Sequence, residues 1–281
     1  MITAPFAYEA PAGLDEAVRI LRQHGEDAKL LAGGHSLLPL MKLRLAAPTL
    51  LVDLRLVPGL RGIQREDGSW RIGAMTRHAD LQNAAELGVV AHAASLIADQ
   101  QVRNRGTIGG SLAHADPASD LPGVVLALEG ELSVTGPDGL RTIAAADLFE
   151  DYLTTSLAPD EVVTEIRIQA LDGWTWGYQK FTRRAEDWAM VGVCALVKRA
   201  PDGSCEDARI GLTHMASTPL RATRAEDALR GAALDRESIA RAAELAAEGT
   251  EPPGDLNATP DYKRHLARVL TRRALEAAAG S

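Results

Sequence analysis

Two double-glycine turns carry the residues of this sequence best suited to chemistry. The first, Ala32-Gly33-Gly34-His35-Ser36, follows an apolar run directly. The second, Thr107-Ile108-Gly109-Gly110-Ser111, is entered through Val102-Arg103-Asn104-Arg105-Gly106. Paired glycines accept left-handed backbone conformations at no steric cost, so successive N–H groups can converge on one point. Such a nest binds anionic oxygens, and Ser36, Thr107 and Ser111 set hydroxyls beside it. Two nests could hold the two phosphates of a pyrophosphate from opposite sides. One Gly-Gly turn alone is usually structural, and neither a G-x-G-x-x-G fingerprint nor a Walker A loop accompanies these two.

Composition narrows the remaining chemistry. The only cysteines, Cys194 and Cys205, cannot supply the four thiolates of an iron–sulfur cluster, and no nearby histidine pattern completes a zinc site. Redox chemistry would therefore use a bound organic cofactor or a neighbour's metal. A net charge of -8, with basic residues scattered among acids, argues against a nucleic-acid partner. No apolar run approaches the ~20 residues that span a bilayer. Met1-Ile2-Thr3-Ala4-Pro5 lacks the basic and apolar regions of a secretion signal, so the expected compartment is the cytoplasm.

The elements that must position these turns can be read from pattern. Leu14, Val18 and Leu21 share one helical face, and residues 29–32 read as a buried strand running into Gly33. Pro39 falls in the first turn of the Leu-rich stretch that follows, where a helix tolerates it. Residues 49–53 form a second buried strand. Asp67-Gly68 turns a hairpin between residues 62–65 and 70–73, and Pro137-Asp138-Gly139 turns another. Residues 77–100 read as helical, and a segment carrying Pro117 and Pro122 follows the second glycine loop. Residues 162–168 alternate as a strand does. The pattern is α+β without a regular βαβ repeat. Beyond Leu171-Asp172-Gly173 the organisation changes to three strands over residues 174–215, the last two joined through Pro201-Asp202-Gly203. Helices follow, broken at Glu251-Pro252-Pro253-Gly254 and closed by one starting near Pro260 with Leu266, Val269 and Leu270 on its apolar face. Two domains are expected, residues 1–173 and 174–281.

With their surroundings the two glycine turns become specific. Residues 32–54 (AGGHSLLPLMKLRLAAPTLLVDL) and 102–122 (VRNRGTIGGSLAHADPASDLP) closely resemble the flavoprotein (medium) subunits of the carbon monoxide dehydrogenase family. The matching domain of xanthine dehydrogenase is similar but more distant. Weaker likenesses lie at Ile72-Gly73-Ala74-Met75-Thr76, at Tyr178-Gln179-Lys180-Phe181 and in residues 262–275. The resemblance implies an FAD-binding domain of the vanillyl-alcohol-oxidase (PCMH) type, built as two α+β subdomains, then a smaller domain of a three-stranded sheet and helices. It implies non-covalent FAD held by Ala32, Gly33, Gly34, His35 and Ser36, by Thr107, Ile108, Gly109, Gly110 and Ser111, and by Asp120. Lys180 matches a flavin-proximal lysine, although alignment on Arg183-Arg184 would put Gln179 there instead. Ser111 stands where the family more often has asparagine, which implies weaker binding at that point.

Each residue also has a plainer reading. His35 caps the start of a helix, Asp120 is an N-cap before Leu121-Pro122, and Arg103 and Arg105 are solvated. Trp174, Trp176 and Trp188 belong to the core or rim of the second domain. His114 and Asp116 alone make no metal site.

The family role implied is an electron relay. A partner large subunit carries the molybdenum cofactor, a partner small subunit carries two [2Fe–2S] clusters, and this chain passes their electrons from FAD to an external acceptor. A dimer of such heterotrimers is the implied assembly. Two other readings stay open on the sequence: a stand-alone FAD-dependent reductase, and a flavin-binding partner without turnover.

Overall fold

Apolar runs near the N-terminus build a small parallel sheet. In the computed structural model, which describes residues 2–280, β1 (Ala7–Glu9), α1 (Leu14–His24), β2 (Ala28–Leu31), α2 (Leu37–Lys42) and β3 (Leu50–Asp53) follow in turn. The strand order is β1-β3-β2, and both outer strands run parallel to β3. All four residues of β3 are buried, as befits the centre of a parallel sheet. The strand, helix and strand read from residues 29–53 are present, and they form a single βαβ unit whose helix spans six residues.

Next comes an antiparallel sheet laced with helices. In chain order these elements are β4 (Ile63–Glu66), β5 (Ser69–Gly73), α3 (His78–Asn83), α4 (Val89–Ser95), α5 (Gln100–Arg103), α6 (Ile108–His114), α7 (Asp120–Ala127), β6 (Glu131–Gly136), β7 (Gly139–Ala144), α8 (Ala145–Leu148), β8 (Phe149–Asp151), β9 (Thr154–Thr155) and β10 (Val162–Gln169). Five strands pair in the order β4-β5-β10-β6-β7, and β8 pairs with β9. Both central residues of the Asp67-Gly68 turn have positive φ, which matches the twist of a two-residue hairpin. Residues 77–100 are not one helix. Gly88 (φ 57°) and Ala98 (φ 42°) turn the chain, and α3, α4 and α5 are separate pieces. The segment with Pro117 and Pro122 contains α7, which accommodates Pro122 in its first turn. Every residue of α7 is buried, because first-domain helices and the second domain's sheet enclose it together.

The second domain has three long strands, β11 (Trp174–Phe181), β12 (Val191–Arg199) and β13 (Cys205–Thr213). A two-residue strand, β14 (Leu220–Arg221), extends the same antiparallel sheet to four. Helices α9 (Thr223–Leu229), α10 (Arg236–Leu245) and α11 (Pro260–Ala279) follow. On α11, Leu266 and Leu270 are buried as the pattern predicts, while Val269 is half-buried. The alternation along β12 separates two cores. Val191, Val193, Ala195 and Val197 pack under the helices, whereas Cys194 and Leu196 join the core of the first domain. The sheet is thus covered on both faces, and one cover is α7. No helix among the described residues is long and apolar enough to cross a membrane.

Contact between α7 and β13 is backbone on backbone. A Cβ added at Gly211 would overlap the Gly123 carbonyl oxygen of α7. Gly211→Ala must therefore push the two domains apart, and we expect a loss of about 2–3 kcal/mol in urea unfolding. Gly13→Ala, where a Cβ meets nothing within 4 Å, should stay within about 0.5 kcal/mol of the parent. Equal stability of the two variants would show that α7 and β13 are not packed this closely.

Candidate functional site

The two glycine loops touch each other. A Cβ on Gly33 would overlap the Arg105 carbonyl oxygen and lie 2.7 Å from Gly106 Cα, so Gly33 lets one loop rest on the backbone of the other. At Gly109 a Cβ would sit 2.6 Å from Ala74 Cβ, against the strand end after β5. Neither residue has a positive φ; in the first loop only Gly34, at 77°, is left-handed. The expectation that paired glycines serve here as conformational hinges is corrected: two of them serve close approach instead.

The donors divide unequally between the loops. In the second loop Ile108 N–H donates to Thr76 O (3.1 Å), Gly109 N–H to Ala74 O (2.9 Å), Gly110 N–H to Thr107 Oγ1 (3.2 Å) and Ser111 N–H to Thr107 O (3.0 Å). These N–H groups are committed to the protein, and Ile108's side chain is fully buried in the first core. The second loop is therefore not a free nest; it offers the cleft its Gly110 edge and the Ser111 hydroxyl. In the first loop, by contrast, no group among the described residues accepts from the N–H of Gly33, Gly34, His35 or Ser36. His35 does not cap α2. Ser36 holds the N-cap position without a side-chain bond, and His35 Nδ1 lies 3.1 Å from Gly33 O.

Asp120 is not an N-cap either. Ser119 holds that position, and Asp120 enters the first turn of α7 with its carboxylate turned toward β11. Its Oδ1 accepts from the Tyr178 hydroxyl at 2.6 Å and its Oδ2 from Lys180 Nζ at 2.9 Å. Lys180 Nζ also donates to Leu96 O at the end of α4, at 2.9 Å. The Asp120 and Lys180 side chains are 3% and 5% exposed. Burial raises the Asp120 carboxyl above its usual range, opposed by the charge of Lys180 and by both hydrogen bonds. Burial, and then Asp120 itself, push the Tyr178 hydroxyl well up. Tyr178 and Lys180 share one face of β11, and alternation puts Gln179 on the other.

Around these groups lies a cleft of about 540 Å³, within the range of cofactor pockets. It is lined by Ala32 through Ser36, by Thr107 and Gly109 through Ser111, and by Asp120 and Lys180, with apolar walls from Leu54, Met75, Val102 and Val163. Of the residues expected at the site, only Ile108 is absent from this lining. Three contributions escaped the sequence reading. His78 is buried behind Gly106, and its imidazole pKa is lowered to about 4, by burial first and then by the neighbouring His35 and Arg103. Glu186, Asp187 and Trp188 reach over from the loop between β11 and β12, and Trp188 is 57% exposed. Leu157 and Glu161 come from the segment before β10. No motif marks any of them. Arg103 is not solvated: it donates to Ile97 O (2.8 Å) and Ala98 O (2.7 Å), bracing that turn. Trp174 and Trp176 pack against the first core, and Arg209 covers Trp174 at 4.6 Å.

The donor set suits FAD. Unspent N–H groups of the first loop can receive phosphate oxygens, the apolar walls can take flat rings, and the Asp120–Lys180 pair offers both a carboxylate and an ammonium donor.

Comparison with known proteins agrees. A family model described as the FAD binding domain in molybdopterin dehydrogenase matches residues 4–169, and one for the CO dehydrogenase flavoprotein C-terminal domain matches residues 176–278. The carbon monoxide dehydrogenase medium chain of Hydrogenophaga pseudoflava is 45% identical over 99% of this chain and 98% of its own length. A solved structure of carbon monoxide dehydrogenase from the same organism superposes with a TM-score of 0.97 at 46% identity, covering 100% of this chain and 99% of that one. Quinoline 2-oxidoreductase from Pseudomonas putida gives 0.94 at 36% identity, covering 100% and 99%. With its glycine loops, its buried Asp120–Lys180 pair and both domains matched, the chain belongs to the family of FAD-binding medium subunits of the molybdopterin dehydrogenases.

Proposed function

We propose that this chain holds one FAD, non-covalently, in the cleft between its two domains. There it relays electrons from a partner subunit's [2Fe–2S] cluster to an external acceptor. The observation that carries this reading is the convergence, in one cleft, of the unspent N–H groups at Gly33–Ser36 and the buried Asp120–Lys180 pair. The FAD-binding domain is taken as residues 1–173 and the C-terminal domain as 174–281. The partners are a small [2Fe–2S] subunit and a large subunit with the molybdenum cofactor, assembled as a dimer of heterotrimers in the cytoplasm. Two-fold closure of this kind is the commonest symmetry of oligomers. The substrate is selected on the large subunit.

Bound FAD would supply the redox chemistry, which no side chain of this chain provides. The chain's own residues bind and orient. Gly33 through Ser36 direct N–H groups at anionic oxygens, and Ser111 adds a hydroxyl. Lys180 gives two of its three N–H donors to Asp120 and Leu96, which leaves one for the cleft. Leu54, Met75, Val102 and Val163 keep water from the walls.

Three outcomes test this. Purified with its partner subunits, the chain should carry one FAD that acid precipitation releases intact. A flavin-free complex, or flavin retained on the precipitate, would overturn the assignment. Gly33→Val must lift the first loop off Arg105–Gly106, and we expect at least about a hundredfold weaker FAD binding in a fluorescence titration, equivalent to about 2.8 kcal/mol. Unchanged affinity would place the phosphates elsewhere. Lys180→Met leaves Asp120 buried without its cation. A stability loss of about 3–5 kcal/mol, together with weakened FAD binding, is the expected result.

A further inference from the structure

A second ionic cluster, centred on the buried Lys263, lies behind the cleft in groups that the flavin reading does not use. His214 follows β13 in a left-handed conformation, φ 64°. Its backbone N–H donates to Pro117 O at 2.8 Å. Pro117 belongs to the loop that delivers Ser119 and Asp120 to the cleft. His214 Nδ1 lies 2.8 Å from Ala189 O, next to Trp188 on the β11–β12 loop. One residue therefore holds both loops that the second domain braces against the cleft.

The ring's protonation state follows from its partners. A carbonyl oxygen only accepts, so Nδ1 carries the hydrogen that faces Ala189. On the other side, Nε2 lies 3.2 Å from Lys263 Nζ. An ammonium only donates, so Nε2 must be the bare acceptor. Lys263 is fully buried on α11 and pairs with Asp255 at 2.7 Å. Asp255 Oδ1 accepts in turn from the N–H groups of Asn257 (2.7 Å) and Ala258 (2.9 Å). Against its burial, the hydrogen bonds from Lys263 and the backbone hold this carboxyl down at about 2, so a carboxylate faces Lys263 from the side opposite the ring.

We propose that His214 is a positioning residue for the flavin site, a clamp that fixes the loops before Asp120 and around Trp188 through its backbone N–H and its ring Nδ1–H. The link to FAD rests on the function proposed above; the clamp itself does not. Protonation would turn an N–H of the ring toward the Lys263 ammonium and open the contact. Burial lowers the His214 pKa first, and Lys263 lowers it further, against the Ala189 carbonyl, Asp255 and Asp116. These are the charged groups facing the ring: Lys263 from α11, Asp255 from the loop before it and Asp116 from the loop before α7. The folded chain takes up this proton less readily than the unfolded one. The ring thus contributes to the stability of these loops in full above the unfolded histidine value of ~6.5, and that contribution is lost as the pH falls below it through the folded value.

Amide hydrogen exchange of the full chain tests the clamp without FAD. His214→Ala should raise exchange about tenfold in residues 185–190, which lose the ring's hydrogen bond, and by less in residues 115–119, whose Pro117 carbonyl still accepts from the backbone N–H at position 214. His214→Asn keeps a neutral N–H donor at the Nδ1 position and tolerates a positive φ, so it should restore protection. After correction for intrinsic rates, the parent should loosen in these segments between pH 7.5 and 5.5, and His214→Asn should not. In the assembled complex, the FAD dissociation constant should follow the same order, about tenfold weaker for His214→Ala. Unchanged exchange in His214→Ala, or equal pH profiles of the parent and His214→Asn, would overturn the clamp. Faster exchange with unchanged FAD affinity would reduce His214 to a structural residue and overturn the positioning role. A parent complex that takes up no FAD would defeat the flavin reading instead, while the exchange data still decide the clamp.

Discussion

One carboxylate in an otherwise apolar helix governs how the two domains meet. All of α7 is buried, and Asp120 in its first turn has almost no access to water. An unpaired charge in such a place is unfavourable by several kcal/mol. The first domain has no cation of its own at that point. Tyr178 and Lys180 supply the partners from β11, and Lys180 is held in turn by the Leu96 carbonyl at the end of α4. Asp120 and Lys180 therefore belong at once to the interface between the domains and to the wall of the cleft. A shift of the second domain that broke this pairing would strand Asp120 and distort the cleft in one step.

Close backbone approach is the second constraint, and it explains glycines that a turn argument does not. Gly33 rests on Arg105–Gly106, Gly109 on Ala74, Gly211 on Gly123, and Gly177 on the Ala274 carbonyl of α11. None of these four needs a left-handed φ. Each removes a methyl group from between two backbones, and together they tie loop to loop, strand to α7 and sheet to α11. Gly34 is the one residue of the paired turns that does use the left-handed region.

The sequence made legible what local chemistry dictates. Asp-Gly pairs announced two hairpins, alternation marked β10, and the family resemblance carried by the two glycine loops implied the cofactor. What escaped it depends on partners remote in the chain. Thr107, Ala74 and Thr76 take up the donors of the second loop, and nothing in residues 107–111 signals that. The split of residues 77–100 follows from packing at Gly88 and Ala98 within an Ala/Leu-rich run that reads as helical throughout. Helix α7 was obscured by Pro122 and Gly123, poor helix formers that burial on all sides overrides. His214 and Lys263 are 49 residues apart, and the sequence between them carries no spacing that foretells a contact.

Enclosure of α7 also bears on how the chain is made. Sixty residues separate Asp120 from Lys180, its charge partner. At ~5–20 residues per second, a ribosome adds Asp120 roughly 3–12 s before Lys180 is joined to the chain. β13, which covers the same helix, is added later still. During that interval the nascent first domain displays an eight-residue apolar helix with a carboxylate that has no cation to meet. The first domain is thus an incomplete folding unit until translation reaches the second, and the side of α7 that meets β12 and β13 stays uncovered in the meantime.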